Sequence, residues 1–272
     1  MHPVEAIVSH RTDLKTPVRN RYFYGKLLDA YHFDLETSYL NHKRWLLNRL
    51  VSGFGVVCGL DVAPGPGPRQ IIVAPGLAID KHGREIIVPE PTKPATIPAE
   101  MLLDHASRSE ESSQYFAKQH EDPGRHEQPD RQERFIHVVL CYRECESDPT
   151  PISIGGCETK EKCAPGAIRE RYSVEFRDGC APPISTECQM PDVISGGQID
   201  YAMLAKWISQ PCPELPEDPC IALADIRIEE GQRCHPEHID ITVRPIVYTN
   251  DLLFQLILSL LSEPPRHRGG KA

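Results

Sequence analysis

The sequence lacks an apolar run long enough to cross a membrane. Its longest apolar stretch, from Leu252 to Leu261, is interrupted by Gln255 and Ser259 and is shorter than the ~18 residues that a spanning helix needs. The first residues also lack the basic and then apolar pattern of a secretory signal. We therefore expect synthesis in the cytoplasm and no insertion into a membrane.

Excess positive charge is missing as well. The 272 residues include 30 lysines and arginines against 39 aspartates and glutamates, for a formal net charge of −9. Binding to nucleic acid needs a positive field, so we expect no nucleic acid among the partners. The charged fraction of 25% and the hydrophobic fraction of 40% are ordinary for a globular protein, which excludes disorder of the whole chain.

Familiar catalytic motifs are absent too. The sequence contains no G-x-S-x-G, no P-loop, no G-x-G-x-x-G and no H-E-x-x-H. Asp80 and Glu85 flank a predicted hairpin, where they could pair with Lys81 or Arg84, and we interpret them as solvated turn charges. We predict no catalytic residues, and we keep a metal-dependent enzyme that uses the Cys/His-rich second half as an alternative.

Proline and cysteine are the residues in excess. The 26 prolines are nearly twice the usual ~5%, which favours short strands and loops over long helices. Nine of the 10 cysteines lie between Cys141 and Cys234. The two halves of the chain therefore differ in their chemistry.

The first strongly periodic segment predicts a helix. Phe33, Leu40 and Leu47 recur at helical spacing, which predicts a helix over about 33–51 that Gly53 ends. The pattern then changes to short strands, the first over 56–62, with a tight hairpin at residues 81–83. Strands at this spacing suggest a small β-barrel or sandwich.

The later segments follow the same reasoning. Residues 106–133 contain few apolar side chains, which predicts a solvated loop or linker. Strand character resumes over 134–142, a cysteine- and proline-rich insert follows to about residue 170, and a later strand is predicted over 239–247. A Leu-rich helix, capped at Asn250 or Asp251, closes the pattern. We expect this helix to dock on the β-core; an oligomeric bundle is the alternative, and its lack of a basic stripe disfavours membrane association.

These patterns together predict an α+β, mainly β protein. It would have an N-terminal amphipathic helix, small β-barrel or sandwich modules, and a C-terminal Leu-rich helix. We divide the chain into an N-terminal arm and helix (1–52), a small β-module (53–105), a polar loop or linker (106–133), a Cys/Pro-rich β part (134–248), and a C-terminal helix and tail (249–272).

The cysteines are candidates for a structural zinc site. Tetrahedral zinc needs four ligands, commonly supplied as closely spaced pairs, and here no C-x2-C occurs. Disulfides and free thiols in the same loops are open alternatives, and Cys58, in an apolar strand, is expected to be buried. The predicted ligands of the zinc ion are Cys145, Cys157, Cys163 and Cys234, with Cys180 or Cys188 as replacements for the last.

A set of aromatic and basic residues predicts a surface that binds a partner subunit. Aromatic residues and arginine are enriched at the centres of interfaces. The alternative is that the aromatic cluster packs the N-terminal arm on the first helix. The predicted interface residues are Tyr22, Phe23, Tyr24, Lys26, Arg44 and Trp45.

Four motifs in the first 90 residues carry a family resemblance. They are RYFYGKLL (21–28), NRL (48–50), GVVCGL (55–60), and PGLAID (75–80) followed by GREI (83–86). The chain resembles an uncharacterised bacterial protein family associated with gene clusters of phage tail-like contractile injection systems. The last motif is also similar to β-modules of phage tail-fibre and baseplate proteins.

The resemblance implies a structural role without catalytic residues. The chain would be a baseplate-associated component of a contractile injection particle and would act by binding other subunits, including further copies of itself. Such a particle would assemble in the cytoplasm and could be released from the cell. A carbohydrate- or surface-binding module on the particle is a further alternative.

Overall fold

The computed structural model describes residues 14–101, 134–152, 163–185, 187, 189–228 and 238–262. Helix α1 spans Ala30–Leu47, and it begins three residues earlier than expected. It begins earlier because Asp29 caps it. The Asp29 carboxylate accepts a hydrogen bond from the backbone N–H of His32, and Nδ1 of His32 accepts one from the backbone N–H of Asp29. A π-helical turn, Asn48–Ser52, prolongs α1.

The helical segment ends at Gly53, as predicted. Its φ of 82° lies in the left-handed region that glycine adopts without steric cost. Six short strands follow, and they form two three-stranded sheets, β1-β4-β5 and β2-β3-β6. The strands are β1 (Gly55–Gly59), β2 (Val62–Pro64), β3 (Gln70–Val73), β4 (Gly76–Ile79), β5 (Glu85–Val88) and β6 (Ala95–Thr96).

Two details refine the predicted strands of this first part. The single strand expected over 56–62 is split into β1 and β2, because Gly59 and Leu60 have φ values of 65° and 58° and turn the chain. The hairpin at residues 81–83 is confirmed: β4 pairs with β5 in register, with Ile79 opposite Glu85.

The second part has a longer sheet than the sequence predicts. The segment after Tyr142 was expected to be a cysteine- and proline-rich insert, yet most of its described residues lie in two long paired strands. The order of this sheet is β12-β11-β7-β8. The strand expected over 239–247 is reduced to two residues. The elements are β7 (Arg134–Pro151), β8 (Cys163–Asp178), β9 (Ile194–Ser195), β10 (Gln198–Ile199), α2 (Tyr201–Ile208), β11 (Ile221–Ile228), β12 (Ile239–Asp240) and α3 (Asn250–Ser262).

One hydrophobic core joins the two β parts. The same cluster of buried residues contains Val62, Ile71 and Ile86 from the first part together with Leu140 and Ile226 from the second. The strands that precede residue 102 and the described strands that follow residue 133 therefore share one hydrophobic core. The predicted α+β, mainly β class is confirmed, although no closed barrel forms among the described sheets. The division into five segments stays a prediction.

The hairpin of β7 and β8 extends beyond this core. The two strands pair from His137 opposite Arg177 out to Pro151 opposite Cys163. Strand β11 pairs with β7 only as far as Leu140. Residues 143–151 and 163–171 therefore form a two-stranded projection, called the ribbon below.

Candidate functional site

The aromatic cluster of the arm lies on a tight turn. The backbone N–H of Lys26 donates to the carbonyl of Phe23 at 3.1 Å, and Gly25 has the positive φ that this turn requires. The Lys26 ammonium donates to the carbonyl of Arg21 at 3.1 Å. The turn displays Phe23, 63% exposed, and Tyr24, fully exposed, to solvent.

Tyr22 is the member of the cluster that contacts α1. Its hydroxyl donates a hydrogen bond to the Glu36 carboxylate, and this contact raises the pKa of Tyr22. The alternative in which the arm packs on the helix is therefore confirmed for Tyr22 through a polar contact. Phe23 and Tyr24 are left available as apolar surface.

Arg44 and Trp45 lie at the other end of α1, where they fix the helix to the β4–β5 hairpin. The Arg44 guanidinium is 3.0 Å from the Glu85 carboxylate. A Cβ added to Gly83 would lie 2.0 Å from the carbonyl oxygen of Trp45, so helix and hairpin are in close contact there. About 20 Å of helix separates this point from the arm, and the structure does not bring the six predicted interface residues together.

The hairpin itself is organised by Asp80, which was interpreted as a solvated charge. That interpretation is wrong, because Asp80 has no exposed surface. Its carboxylate accepts the backbone N–H groups of His82 at 2.9 Å and Arg84 at 2.8 Å, and the Nε of Arg84 at 2.7 Å. Glu85 is partly buried and pairs with Arg44. Both carboxylates therefore have structural roles.

Among the described elements, helix α3 exposes the most large apolar side chains. The expectation that it docks on the β-core is wrong, because all its described side chains except Leu252 are exposed. Its apolar side chains form one wide face, and Asp251, Gln255 and Ser259 form a narrow polar stripe on the remaining side. No charged residue occurs between Leu252 and Leu261. The large exposed members are Leu253, Phe254, Leu256, Ile257, Leu258, Leu260 and Leu261.

Helices α1 and α3 leave the core at the same place. The backbone N–H of Val56 donates to the carbonyl of Pro245 at 2.8 Å, and that of Val247 donates to the carbonyl of Val56 at 3.0 Å. These bonds hold the segment after α1 beside the segment before α3. Phe54 and Tyr248 are exposed at this junction, which adds apolar surface between the two helices.

The described cysteines include one disulfide and several free thiols. Cys141 and Cys220 are bonded and buried between β7 and β11. Cys145 and Cys163 are exposed free thiols, six residue positions apart along the ribbon, or about 20 Å, so the structure does not bring these two predicted ligands together. Cys58 is also exposed, contrary to expectation.

The zinc site as a whole stays a prediction. Two of the predicted ligands, Cys157 and Cys234, and the replacement Cys188 lie outside the described residues. Within the described part of the chain, no group of three or more histidine, cysteine or acidic side chains is placed to hold a metal ion. The Cys141–Cys220 disulfide shows that at least part of the cysteine excess braces the fold covalently.

A buried polar cluster lies where β8 ends. The Asp225 carboxylate accepts the backbone N–H of Ala181 at 2.9 Å, and Nδ1 of His137 lies 3.0 Å from the carbonyl of Gly179. Burial and the neighbouring Asp225 raise the pKa of Cys180 to about 12. A thiol is a nucleophile only as the thiolate, so this Cys/His group positions the chain rather than activating Cys180.

Comparison of the sequence with known protein families and curated proteins found no match. No model of a known protein family matches the chain, and no curated protein is significantly similar to it. The resemblance to injection-system proteins therefore stays a prediction, as do the partners and the location that it implies. In the described residues, no helix is long and apolar enough to cross a membrane.

Proposed function

We propose that the chain is a structural component of a contractile, phage tail-like injection particle, that it is associated with the baseplate, and that it acts by binding other subunits. The observation that carries this proposal is helix α3. It exposes seven large apolar side chains, among them Leu260 at 75% and Leu261 at 77%. A wide apolar helix face that stays exposed is characteristic of a surface that binds another protein.

Helix α1 supports the same role. Each of its residues is at least partly exposed, and Tyr31, Phe33 and Leu40 are more than half exposed. The arm adds Phe23 and Tyr24 near the start of this helix. A structural subunit needs several contact surfaces, and α1 with the arm supplies one that lies away from α3 along the chain.

Burial of α3 alone does not provide enough free energy for stable binding of a partner subunit. Burying the remaining exposed part of seven large side chains contributes roughly 5–10 kcal/mol. Association costs about 4–15 kcal/mol in lost freedom of motion. The two terms are of similar size, so stable binding calls for a second surface such as α1 with the arm.

The test is whether the chain purifies with sheath and baseplate proteins in intact particles. A variant with Leu253→Ser, Ile257→Ser and Leu260→Ser should fold, because these side chains are exposed, and should be lost from the particles. A matched control places three serines at exposed isoleucines elsewhere: Ile184→Ser, Ile194→Ser and Ile199→Ser. The control should be retained.

Two results would overturn the proposal. One is the absence of the unmodified chain from intact particles. The other is incorporation of the α3 variant at the same level as the control, which would show that the exposed helix takes no part in subunit binding.

A further inference from the structure

The ribbon carries opposite charges on its two faces. Side chains alternate between the faces of a strand, and in the sheet the face of Leu140 and Tyr142 belongs to the hydrophobic core. In the ribbon this face continues as the acidic face, Glu144, Glu146 and Glu170. The opposite face continues as the basic face, Arg143, Arg169 and Arg171.

Within the ribbon, like charges stand directly opposite each other. Arg143 pairs in register with Arg171, and Glu144 pairs in register with Glu170. Like charges at opposed positions destabilise a pair of strands, whereas opposite charges stabilise it. In the isolated chain, electrostatic repulsion therefore destabilises the ribbon at two successive pairs of residues. A partner surface of the opposite charge would relieve this repulsion.

The acidic face has no cation to balance it within the described structure. Glu144 accepts a hydrogen bond from the Tyr142 hydroxyl at 2.9 Å, and neither Glu146 nor Glu170 forms an ion pair with another described residue. All three glutamates are exposed. None of the three carboxylates is paired with a cation of the described residues, so all three can meet cations of a partner.

The basic face is partly balanced. Arg143 pairs with Glu175, and Arg169 pairs with Asp148 at 2.9 Å. Arg171 has no ion pair among the described residues. Exposed pairs of this kind contribute about 0–1 kcal/mol, so they can rearrange when a carboxylate-rich surface approaches.

We propose that the ribbon binds a second copy of this chain, with the acidic face of one ribbon on the basic face of the next. The three glutamates and three arginines of a single ribbon supply both halves of the contact. The proposal deepens the subunit-binding role above and rests on it. A contact between two different faces repeats from copy to copy, so it builds a ring or a helical stack.

The distal end of the ribbon favours contact through the faces over strand addition at the edges. Pro149, Pro151 and Pro165 lie in the paired strands near the tip. Proline has no N–H to donate to an added strand, and it protects edges in natural sheets. The charged faces nearer the core are therefore the surfaces on which a copy can bind.

The experiment compares two charge-reversed forms of the full chain. The acidic-face variant carries Glu144→Arg, Glu146→Arg and Glu170→Arg. The basic-face variant carries Arg143→Glu, Arg169→Glu and Arg171→Glu. Sedimentation at low salt should show a concentration-dependent assembly for the unmodified chain and a weakening of the order of 10²-fold or more for each variant, because each contact becomes repulsive.

Mixing the two variants is the decisive step. One now has two basic faces and the other two acidic faces, so an equimolar mixture should assemble again, with the variants alternating. A matched control with the same change of charge, Glu90→Arg, Glu100→Arg and Glu214→Arg, lies on exposed residues outside the ribbon and should assemble like the unmodified chain. Circular dichroism checks that each variant is folded.

Three outcomes would overturn the proposal: an unmodified chain that stays monomeric at low salt, folded variants that assemble as well as the unmodified chain, or a mixture that stays dissociated. The last would point to another protein as the partner of the ribbon. These results are separate from co-purification with particles, so the particle role can fail while ribbon assembly holds, or the reverse.

Discussion

The carboxylate of Asp80 holds both the backbone and the side chain of Arg84, at 2.8 Å from its N–H and 2.7 Å from its Nε. The guanidinium of Arg84 in turn lies 4.5 Å from the centre of the Tyr142 ring. One ion pair thus closes the β4–β5 hairpin and places a cation over an aromatic side chain of β7. The hairpin is connected to the second part of the chain at this point.

Removing this carboxylate should be costly. Asp80→Ala leaves two backbone N–H groups and the partly buried Arg84 guanidinium without their acceptor. We expect the free energy of unfolding to fall by about 3–5 kcal/mol, measured by urea denaturation. Glu90→Ala, at an exposed carboxyl group, should change it by less than ~0.5 kcal/mol. Equal effects of the two substitutions would contradict the role given to Asp80.

Gly83 should tolerate no side chain, because the backbone of α1 at Trp45 is in close contact with it. Gly83→Ala adds a Cβ at 2.0 Å from the carbonyl oxygen of Trp45, at a φ of 89°. Gly179→Ala is the control: its φ is 79°, and among the described residues no heavy atom lies within 4 Å of the added Cβ. Backbone strain of about 1–3 kcal/mol applies to both, and the steric contact applies to Gly83 alone.

The readout for this pair is hydrogen exchange in residues 44–52, measured by mass spectrometry. Gly83→Ala should speed exchange there, since the C-terminal end of α1 must move away from the hairpin. Gly179→Ala should leave that segment unchanged. Unchanged exchange in both variants would mean that the helix is not held by this contact.

The buried disulfide should be a large contributor to stability. Cys141 and Cys220 are 79 residues apart in sequence, and in the chain-entropy model closing a loop of that length stabilises the fold by roughly 4 kcal/mol. The double variant Cys141→Ala with Cys220→Ala should therefore unfold at a markedly lower denaturant concentration. Removing the exposed Cys58 should have little effect, and a similar loss from Cys58→Ala would contradict this assignment.

Acid should weaken the ion pair between Arg177 and Asp218. The hydrogen bond from Arg177 lowers the pKa of Asp218 from 3.8 to about 2. A carboxyl group with a lowered pKa in the folded state stabilises the fold above its ordinary pKa, and this contribution is lost as the pH falls from about 4 to 2. Asp218→Asn should flatten the pH dependence of stability in that window, by a small amount because the pair is partly exposed.

The control for this measurement is Asp178→Asn, at an exposed carboxyl group that forms no ion pair with another described residue. It should leave the pH dependence of thermal unfolding between about pH 2 and 4 as in the unmodified protein. A slope that stays unchanged in Asp218→Asn would show that the pair contributes nothing in solution.

Thiol labelling should separate the free cysteines. Cys145 and Cys163 are exposed and should react quickly with iodoacetamide at mildly alkaline pH. Cys180, whose pKa is raised to about 12, should react slowly until the protein is unfolded, because the thiolate is the reactive form. Peptide mass mapping over time measures the rates, and labelling of Cys180 as fast as that of Cys145 would contradict its buried placement.

Local chemistry in the sequence predicts much of this fold. Gly53 ends the helix and Gly83 marks the hairpin because glycine adopts positive φ cheaply, and both positions are readable from the chain. The start of α1 is less readable, since Asp29 with His32 is an uncommon pairing for a capping box. The turn at Gly59 and Leu60 is only half readable: Gly59 inside a strand pattern is a sign of a break, whereas the positive φ of Leu60 has no sign in the sequence.

Long-range partners are what the sequence does not predict. Asp80 is predictable as a turn residue, yet the surroundings of its turn come from far along the chain: the backbone N–H of Lys81 donates to the carbonyl of Pro219 at 3.1 Å. The pairing of Cys141 with Cys220 depends on strand register across 79 residues. The exposure of α3 is similarly hidden, because a stripe of leucines looks the same whether it packs on this chain or on a partner.

The shared core also constrains how the chain is made. A ribosome releases the N-terminal strands first, yet Ile71 and Ile86 pack in the same cluster as Ile221 and Ile226. Until β11 has emerged, the first strands lack part of the interior against which they pack. We infer that the nascent protein presents apolar surface throughout most of its synthesis and completes its fold late, which makes chaperone binding during translation important for its yield.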